Sequence, residues 1–257
     1  MNALLSAPEE DLHAPDTIIA VSEDDDGLHA ISPAIPALPR PRSIAEAPVR
    51  FKIRLANDEG RRSSAGYLIE KMYGWRGYAA SGPQAAPNRV TLMASDLEKA
   101  LATITVGFDS PTGLMVEELY REELAQLRGR GARLCEFTKL AIDRNEQSKE
   151  VLAMMFHISY MYARRIHRCT DLVIEVNPRH VRFYERMLGF QQLGPERMCP
   201  RVGAPAVLLW LDLSYAGSQI EAHGGLRGRA GKVRSLYPFF FSAAEEEGIT
   251  ARLRAIG

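Results

Sequence analysis

The alternation of apolar and polar positions changes period most sharply between Leu134 and Phe190. LCEFTKLAID has the composition of a buried strand, and a turn follows over Arg144–Ser148. VLAMMFHISYMYARRIHR then repeats apolar residues at helical spacing, DLVIEV is apolar and β-branched, and NPRHVRFYERMLGF turns directly into a short helix. Strand, helix, strand and helix at these lengths build a parallel pair that opens a ligand site between its strands.

The same criterion places the other elements. RFKIRLAN (Arg50–Asn57) alternates as a half-buried strand. A helix is expected over Ser63–Tyr73, with Leu68, Met72 and Trp75 near helical spacing and Gly74 and Gly77 interrupting it. Arg89–Ala94 and Ala100–Phe108 read as strands that pair antiparallel, and Met115–Arg128 as an amphipathic helix ended by Gly129 and Gly131. In the long helix, Asn145 or Ser148 can cap the start, while Val151, Met154, Met155, Ile158, Met161 and Tyr162 form the apolar face. Ala206–Ser214 should close the sheet, residues 217–235 read as loop, and Phe239–Ile256 as a last helix. Ser242 and Glu245 supply the capping box of that helix. Residues 1–49 are acidic and hold seven prolines, which predicts a disordered tail. The expected organisation is this tail, a folded domain over 50–216, and a basic loop with a helix packing on the domain over 217–257.

Composition narrows the class. With 257 residues, 46% of them hydrophobic, the chain can bury the core of one domain of about 200 residues. No apolar run approaches the ~20 residues that a bilayer requires. Met1–Ser6 lacks a basic and an apolar signal region, so a cytoplasmic protein is expected, with peripheral membrane contact left open. Cys135, Cys169 and Cys199 lack zinc-ligand spacing and read as reduced thiols, and no metal is expected. The net charge of zero hides an asymmetry. Eight acids and no Lys or Arg fall in residues 1–39, leaving 32 bases against 24 acids over 40–257. A folded part near +8 suits an acidic partner. Its bases are dispersed apart from ARRIHR and LRGRAGKVR, so no nucleic-acid partner is expected.

The order of elements resembles the GNAT acyltransferase fold: an α/β (α+β) architecture with a mixed, mostly antiparallel sheet, a parallel pair splayed at the centre, and helices on both faces. Glu136-Phe137-Thr138-Lys139-Leu140 resembles the Glu-x-Ser-Arg-Phe strand of the GNAT-like acyl-homoserine-lactone synthases. Asn177-x6-Tyr184-x4-Gly189-Phe190 resembles the second GNAT signature, whose Tyr packs near the thioester. YGWRGY, DSPTGL, ELYREELAQLRGRG, LCEFTKLAID and EVNPRHVRFYERMLGF together resemble the long-chain N-acyl amino acid synthase family, over roughly residues 51–214. A Glu-x-Asp-x-x-Asp pattern expected of the lactone synthases is absent. The glycine-rich pyrophosphate loop of acetyl-CoA-dependent members is also missing, because the corresponding DRNEQSKEVLAM has no Gly.

These features imply thioester aminolysis. The expected donor is an acyl-phosphopantetheine on acyl carrier protein, with no cofactor bound and acyl-CoA the weaker candidate; the acceptor is an amino acid. Glu136, a charge inside an apolar strand, is the candidate base for the incoming ammonium, although a solvent-face Glu paired with Lys139 fits the same sequence. Tyr184 is the candidate acid for the departing thiolate. Backbone amides around Leu140, Ala141 and Ile142 are the expected oxyanion and pantetheine contacts, with Asn177 assisting and Arg179 near the carrier's phosphate. Trp75 and Arg76 are candidates for closing over the acyl chain or binding the amino acid's carboxylate, and His157 for the site's floor. Met93, Met115, Met154 and Met155 would suit an acyl tunnel, or a core. Arg164, Arg165 and Arg168 complement the helix dipole, or form a carrier-protein patch. Two alternatives remain: an acyl-CoA-dependent transferase acting on another amine, and a non-catalytic binder of carrier or lipid.

Overall fold

A sheet ordered β1-β2-β3-β4-β5-β6-β9-β7, with β8 paired to β9, organises the residues that this computed structural model describes: 17–22, 49–96, 99–143, 148–229 and 234–256. Its strands are β1 (Thr17–Ser22), β2 (Val49–Leu55), β3 (Arg89–Asp96), β4 (Lys99–Phe108), β5 (Leu134–Ile142), β6 (Asp171–Val176), β7 (Gln191–Gln192), β8 (Arg197–Cys199) and β9 (Ala204–Asp212). The helices are α1 (Glu59–Gly74), α2 (Glu117–Gly129), α3 (Ser148–Tyr160), α4 (Val181–Leu188), α5 (Leu213–His223) and α6 (Ala243–Ile256). Among the described residues no helix is long and apolar enough to cross a membrane.

β4 is buried from Ala100 to Phe108, as befits a central strand covered on both faces. Strand alternation divides the core accordingly. On one face Ala65, Ile69 and Met72 of α1 pack with Met93 and Ala141, and Tyr120, Leu124 and Leu127 of α2 pack with Leu134, Val173 and Leu208. On the other, α3, α4, α5 and α6 share a core with Ile104, Phe137, Ile174 and Leu209.

The parallel pair is short. Leu134, Cys135 and Glu136 pair with Asp171, Leu172 and Val173, and the ladder then stops. β6 continues straight, paired with β9 from Asp171↔Asp212 to Val176↔Val207. β5 instead carries a bulge between Thr138 and Ala141, with Lys139 at φ 51°. The two strands diverge beyond it.

Several expectations change. The disordered tail fails at Thr17–Ser22, where β1 pairs antiparallel with β2 and buries Ile18, Ile19 and Val21. TIIAVS is a short apolar, β-branched run that the acidic composition of residues 1–49 conceals. Residues 1–16 and 23–48 lie outside those described. α1 begins at Glu59 rather than Ser63, because the Asp58 side chain accepts the Arg61 N–H at 2.8 Å and caps it. β9 ends at Asp212, whose side chain caps α5, so residues 213–223 are helical where strand and loop were expected. α6 starts at the expected capping box, with the Ser242 N–H donating to Glu245 at 2.7 Å. Residues 144–147, at the centre of the glycine-free segment, lie outside the described residues.

Candidate active site

Where β5 and β6 part, a cavity of about 420 Å³ runs through the sheet. Its apolar wall comes from Ile104, Phe137, Leu140, Ile142 and Ile174 of the strands, Leu152 and Phe156 of α3, Phe183 and Tyr184 of α4, and Ile69 of α1. Residues 78–81, from the segment joining α1 to β3, also line it. Two bonds from Lys139, Nζ to the Ser81 carbonyl at 3.0 Å and to the Gly82 carbonyl at 2.5 Å, hold that segment in place.

Glu136 supplies the inner polar end. Its side chain is 1% exposed, on the same sheet face as Leu134, and its carboxylate accepts the N–H groups of Met115 at 3.0 Å and Val116 at 3.1 Å, where α2 begins. Room for it comes from Gly107 across the strand, where a Cβ would stand 2.8 Å from Glu136 Cγ. Burial pushes the Glu136 pKa up, against the lowering influence of those N–H groups, Arg89 and Arg201. The guanidinium of Arg89 lies 3.9 Å away. Arg201 binds the Met115 carbonyl at 3.1 Å, Glu118, and Glu175 at 2.6 Å. The outcome is a buried carboxylate held by two backbone N–H groups beside Arg89, at the polar end of an otherwise apolar cavity.

Tyr184 lines the cavity from α4, its ring edge-on to Phe156 at 6.2 Å and Phe190 at 5.6 Å. Gly189, at φ 80°, ends α4 in the left-handed conformation that sends Phe190 back under that ring. Burial raises the Tyr184 pKa well above the phenol range, so the hydroxyl stays a donor. Tyr73 also lines the cavity, its pKa pushed up to about 12 by burial. At the outer end, Asn177 Nδ2 donates to the Tyr78 hydroxyl at 3.1 Å and the Pro205 carbonyl at 3.2 Å, with Arg76, Arg179 and His180 alongside.

Glu136, Tyr184, Leu140, Ile142, Asn177, Arg179 and Arg76 thus line one cavity. Other candidates lie elsewhere. The Ala141 side chain packs beneath α1, because the bulge and strand alternation turn it to the opposite face from Leu140 and Ile142. Trp75 is 69% exposed where α1 ends and does not line the cavity. His157 is fully buried but faces α6: Nδ1 accepts the Phe241 N–H at 3.0 Å and Nε2 meets Glu246 at 3.2 Å, between the stacked rings of Phe240 and Phe241. It fastens α6 to α3. Met115 lines the cavity, whereas Met93, Met154 and Met155 are core.

Arg164, Arg165 and Arg168 follow α3 at its far end, roughly 25 Å from its first turn at 1.5 Å per residue. Arg164 binds the Cys169 carbonyl at 3.1 Å and Arg165 binds Glu246 at 2.7 Å. These bonds tie the two arginines to the fold, while Arg165 and Arg168 stay exposed. Among the described residues no cluster of His, Cys, Asp or Glu is arranged to hold a metal ion.

Glu175, Arg201, Tyr73 and Tyr78 were not singled out in the sequence. Glu175 carried the signal that marked Glu136, a charge within an apolar strand. Tyr73 and Tyr78 bound the YGWRGY motif, of which only Trp75 and Arg76 were taken as candidates, and Arg201 sits in a loop remote from β5 where no local pattern marks it.

A sequence model of the family described as N-acyl amino acid synthase FeeM matches residues 64–212. No curated protein matches the chain. Among solved structures, FeeM, an N-acyl amino acid synthase from uncultured soil microbes, is 28% identical at a TM-score of 0.60, over 66% of this chain and 93% of that one. An acyl-CoA N-acyltransferase from Pseudomonas aeruginosa is 11% identical at 0.43, over 62% and 97% of the two chains. The AHL synthase LasI is 11% identical at 0.46, over 63% and 90%.

Proposed function

The chain belongs to the N-acyl amino acid synthase FeeM family, an acyltransferase with a GNAT-like fold, and we propose that it moves a long-chain acyl group from acyl carrier protein to the α-amine of an amino acid. The observation that carries this reading is the apolar cavity passing between β5 and β6, with the buried Glu136 carboxylate at its inner end. An acyl chain would lie against Phe137, Ile142, Leu152 and Phe156, which removes it from water. Its pantetheine arm would leave between the strands, where β5 beyond Glu136 has no ladder with β6 and can offer backbone amides to the arm and the oxyanion.

In the proposed reaction Glu136 takes one proton as the ammonium becomes an amine, directly or through a water. The nitrogen attacks the thioester carbon, a C–N bond forms, and the oxyanion collapses with cleavage of the C–S bond. Tyr184 gives its proton to the departing sulfur and regains one from the nitrogen as the amide forms, and Glu136 releases its proton to solvent. The raised carboxyl pKa makes Glu136 a stronger base, whereas the raised phenol pKa keeps Tyr184 protonated as a hydrogen-bond donor but makes it a weaker acid, so its proton can move only as the sulfur develops charge. The carrier donor is supported by the near +8 charge of residues 40–257 and the lack of glycine in residues 143–150.

Incubation with acyl carrier protein thioester, acyl-CoA and a panel of amino acids, followed by mass spectrometry, tests this. N-acyl amino acid from the carrier thioester is expected. Product from acyl-CoA alone would overturn the donor, and product on other amines alone the acceptor.

A further inference from the structure

Three nitrogen-rich side chains from two segments line the cavity's outer end: Arg76, just after α1, and Arg179 and His180, in the turn before α4. Arg179 Nε donates to His180 Nε2 at 3.2 Å, and its guanidinium lies 5.6 Å from the centre of the Tyr78 ring. Tyr78 is itself held by Asn177, whose Oδ1 accepts the Arg179 N–H at 3.3 Å. The Arg179 head group is therefore placed by a ring on one side and an imidazole on the other. Arg76 uses one N–H on the Met72 carbonyl at 3.4 Å and keeps the rest of its fork.

These arginines differ from others in the fold. Arg128, Arg197, Arg201 and Arg227 each hold a carboxylate. Among the described residues neither Arg76 nor Arg179 does. Burial, Arg179 and Arg76 together lower the His180 pKa, so the ring stays neutral. With Nε2 accepting from Arg179, its proton sits on Nδ1. Both guanidiniums keep N–H groups free of any carboxylate from the described residues at the mouth of the cavity, an arrangement that suits an incoming anion.

Position selects the anion. Asn177 lies four residues beyond Val173, the strand partner of Glu136, which is roughly 13 Å at 3.3 Å per residue. An amino acid's carboxylate is joined through one carbon to the attacking nitrogen and must stay beside the reacting centre. A phosphate terminates the long pantetheine arm. We propose that Arg76, Arg179 and His180 form a binding site for the phosphate of the donor's phosphopantetheine arm. This rests on the thioester-donor reading above, and it replaces the glycine-rich cradle with a side-chain clamp built partly from the α1–β3 segment.

The test compares binding of S-alkyl phosphopantetheine thioether with the same thioether of pantetheine, by calorimetry on the full chain. Wild type should bind the phosphorylated ligand about tenfold or more tightly, a preference that Arg76→Gln/Arg179→Gln should abolish while pantetheine thioether binds as before. The single variants serve if the double one does not fold. Equal binding of both ligands by wild type would overturn the proposal. So would variants that keep the preference, and so would variants that raise KM for the amino acid with donor KM unchanged, since the site would then hold the acceptor. Binding needs no turnover, so a protein inactive with every donor could still pass, which separates this inference from the proposed reaction.

Discussion

Glu136→Gln separates two roles that the structure allows for one carboxylate. Glu136 could hold the start of α2 through the Met115 and Val116 N–H groups, or serve as the base, or do both. Gln offers a single carbonyl oxygen and turns its amide NH2 toward the second N–H. An orphaned buried N–H costs about 1–3 kcal/mol. Relief from burying a charge works in the opposite direction, so about 3 kcal/mol is the ceiling, or at most ~12 °C in Tm at 2–4 °C per kcal/mol for a domain of this size. Losing a positioned base lowers kcat by about 10²–10⁴, which is ~2.7–5.4 kcal/mol in the barrier at 1.36 kcal/mol per decade. Scanning fluorimetry reads the first effect and steady-state turnover the second. Wild-type kcat should also rise as pH climbs through a value above the ordinary Glu range, because burial raises this carboxyl's pKa, and the Gln variant should lack that limb. A Glu136→Gln enzyme within tenfold of wild-type turnover, with a lowered Tm, would make the carboxylate a helix clasp and refute its role as base.

Gly107→Ala should act through the same carboxylate: the new Cβ would stand 2.8 Å from Glu136 Cγ and 2.9 Å from Oε1, so turnover should fall at least tenfold for about 1–3 kcal/mol of overpacking. His157→Ala should lower urea stability by about 2–4 kcal/mol with little change in the KM of a folded enzyme, since it removes the acceptor of the Phe241 N–H and a partner of Glu246. Burial depresses the His157 pKa, so its contribution is present above the unfolded value near 6.5 and lost as pH falls through the folded one; urea midpoints should show this limb in wild type and a weaker one in His157→Ala. Leu152→Trp should shorten the acyl chains in the product by filling the cavity wall, as read by mass spectrometry.

The elements were legible where a period ran uninterrupted: DLVIEV is β6 as expected, and the Ser242/Glu245 box starts α6. Glu136 was legible because an apolar strand seldom buries a carboxylate without a partner. Its partners were not, since the Met115 and Val116 amides come from the start of α2 and backbone groups leave no compositional trace. His157 looked similar to a site residue because a buried His is one whether it binds substrate or fastens a helix; the choice depends on Phe241 and Glu246, more than 80 residues away. Tyr78 acquires meaning through Asn177 and Arg179 across the cavity, contacts that no period encodes.

Lys139 connects the gap between the strands to the segment that covers it. Its φ of 51° accommodates the extra residue of β5, and β5 turns away while β6 stays paired with β9. Its side chain then reaches the Ser81 and Gly82 carbonyls of the covering segment, which runs past α1 where Gly66 and Gly82 meet closely. Two substitutions separate these contributions. Lys139→Gly keeps the left-handed backbone but drops the tie, so donor affinity should fall while Tm changes by no more than the equivalent of about 1 kcal/mol. Lys139→Val forces a β-branched residue into that conformation at a further cost of about 1–2 kcal/mol, so Tm should fall as well. If the Gly variant bound donor as wild type does, the tie from β5 to the covering segment would be irrelevant to the site, and the cavity would owe its shape to the bulge alone.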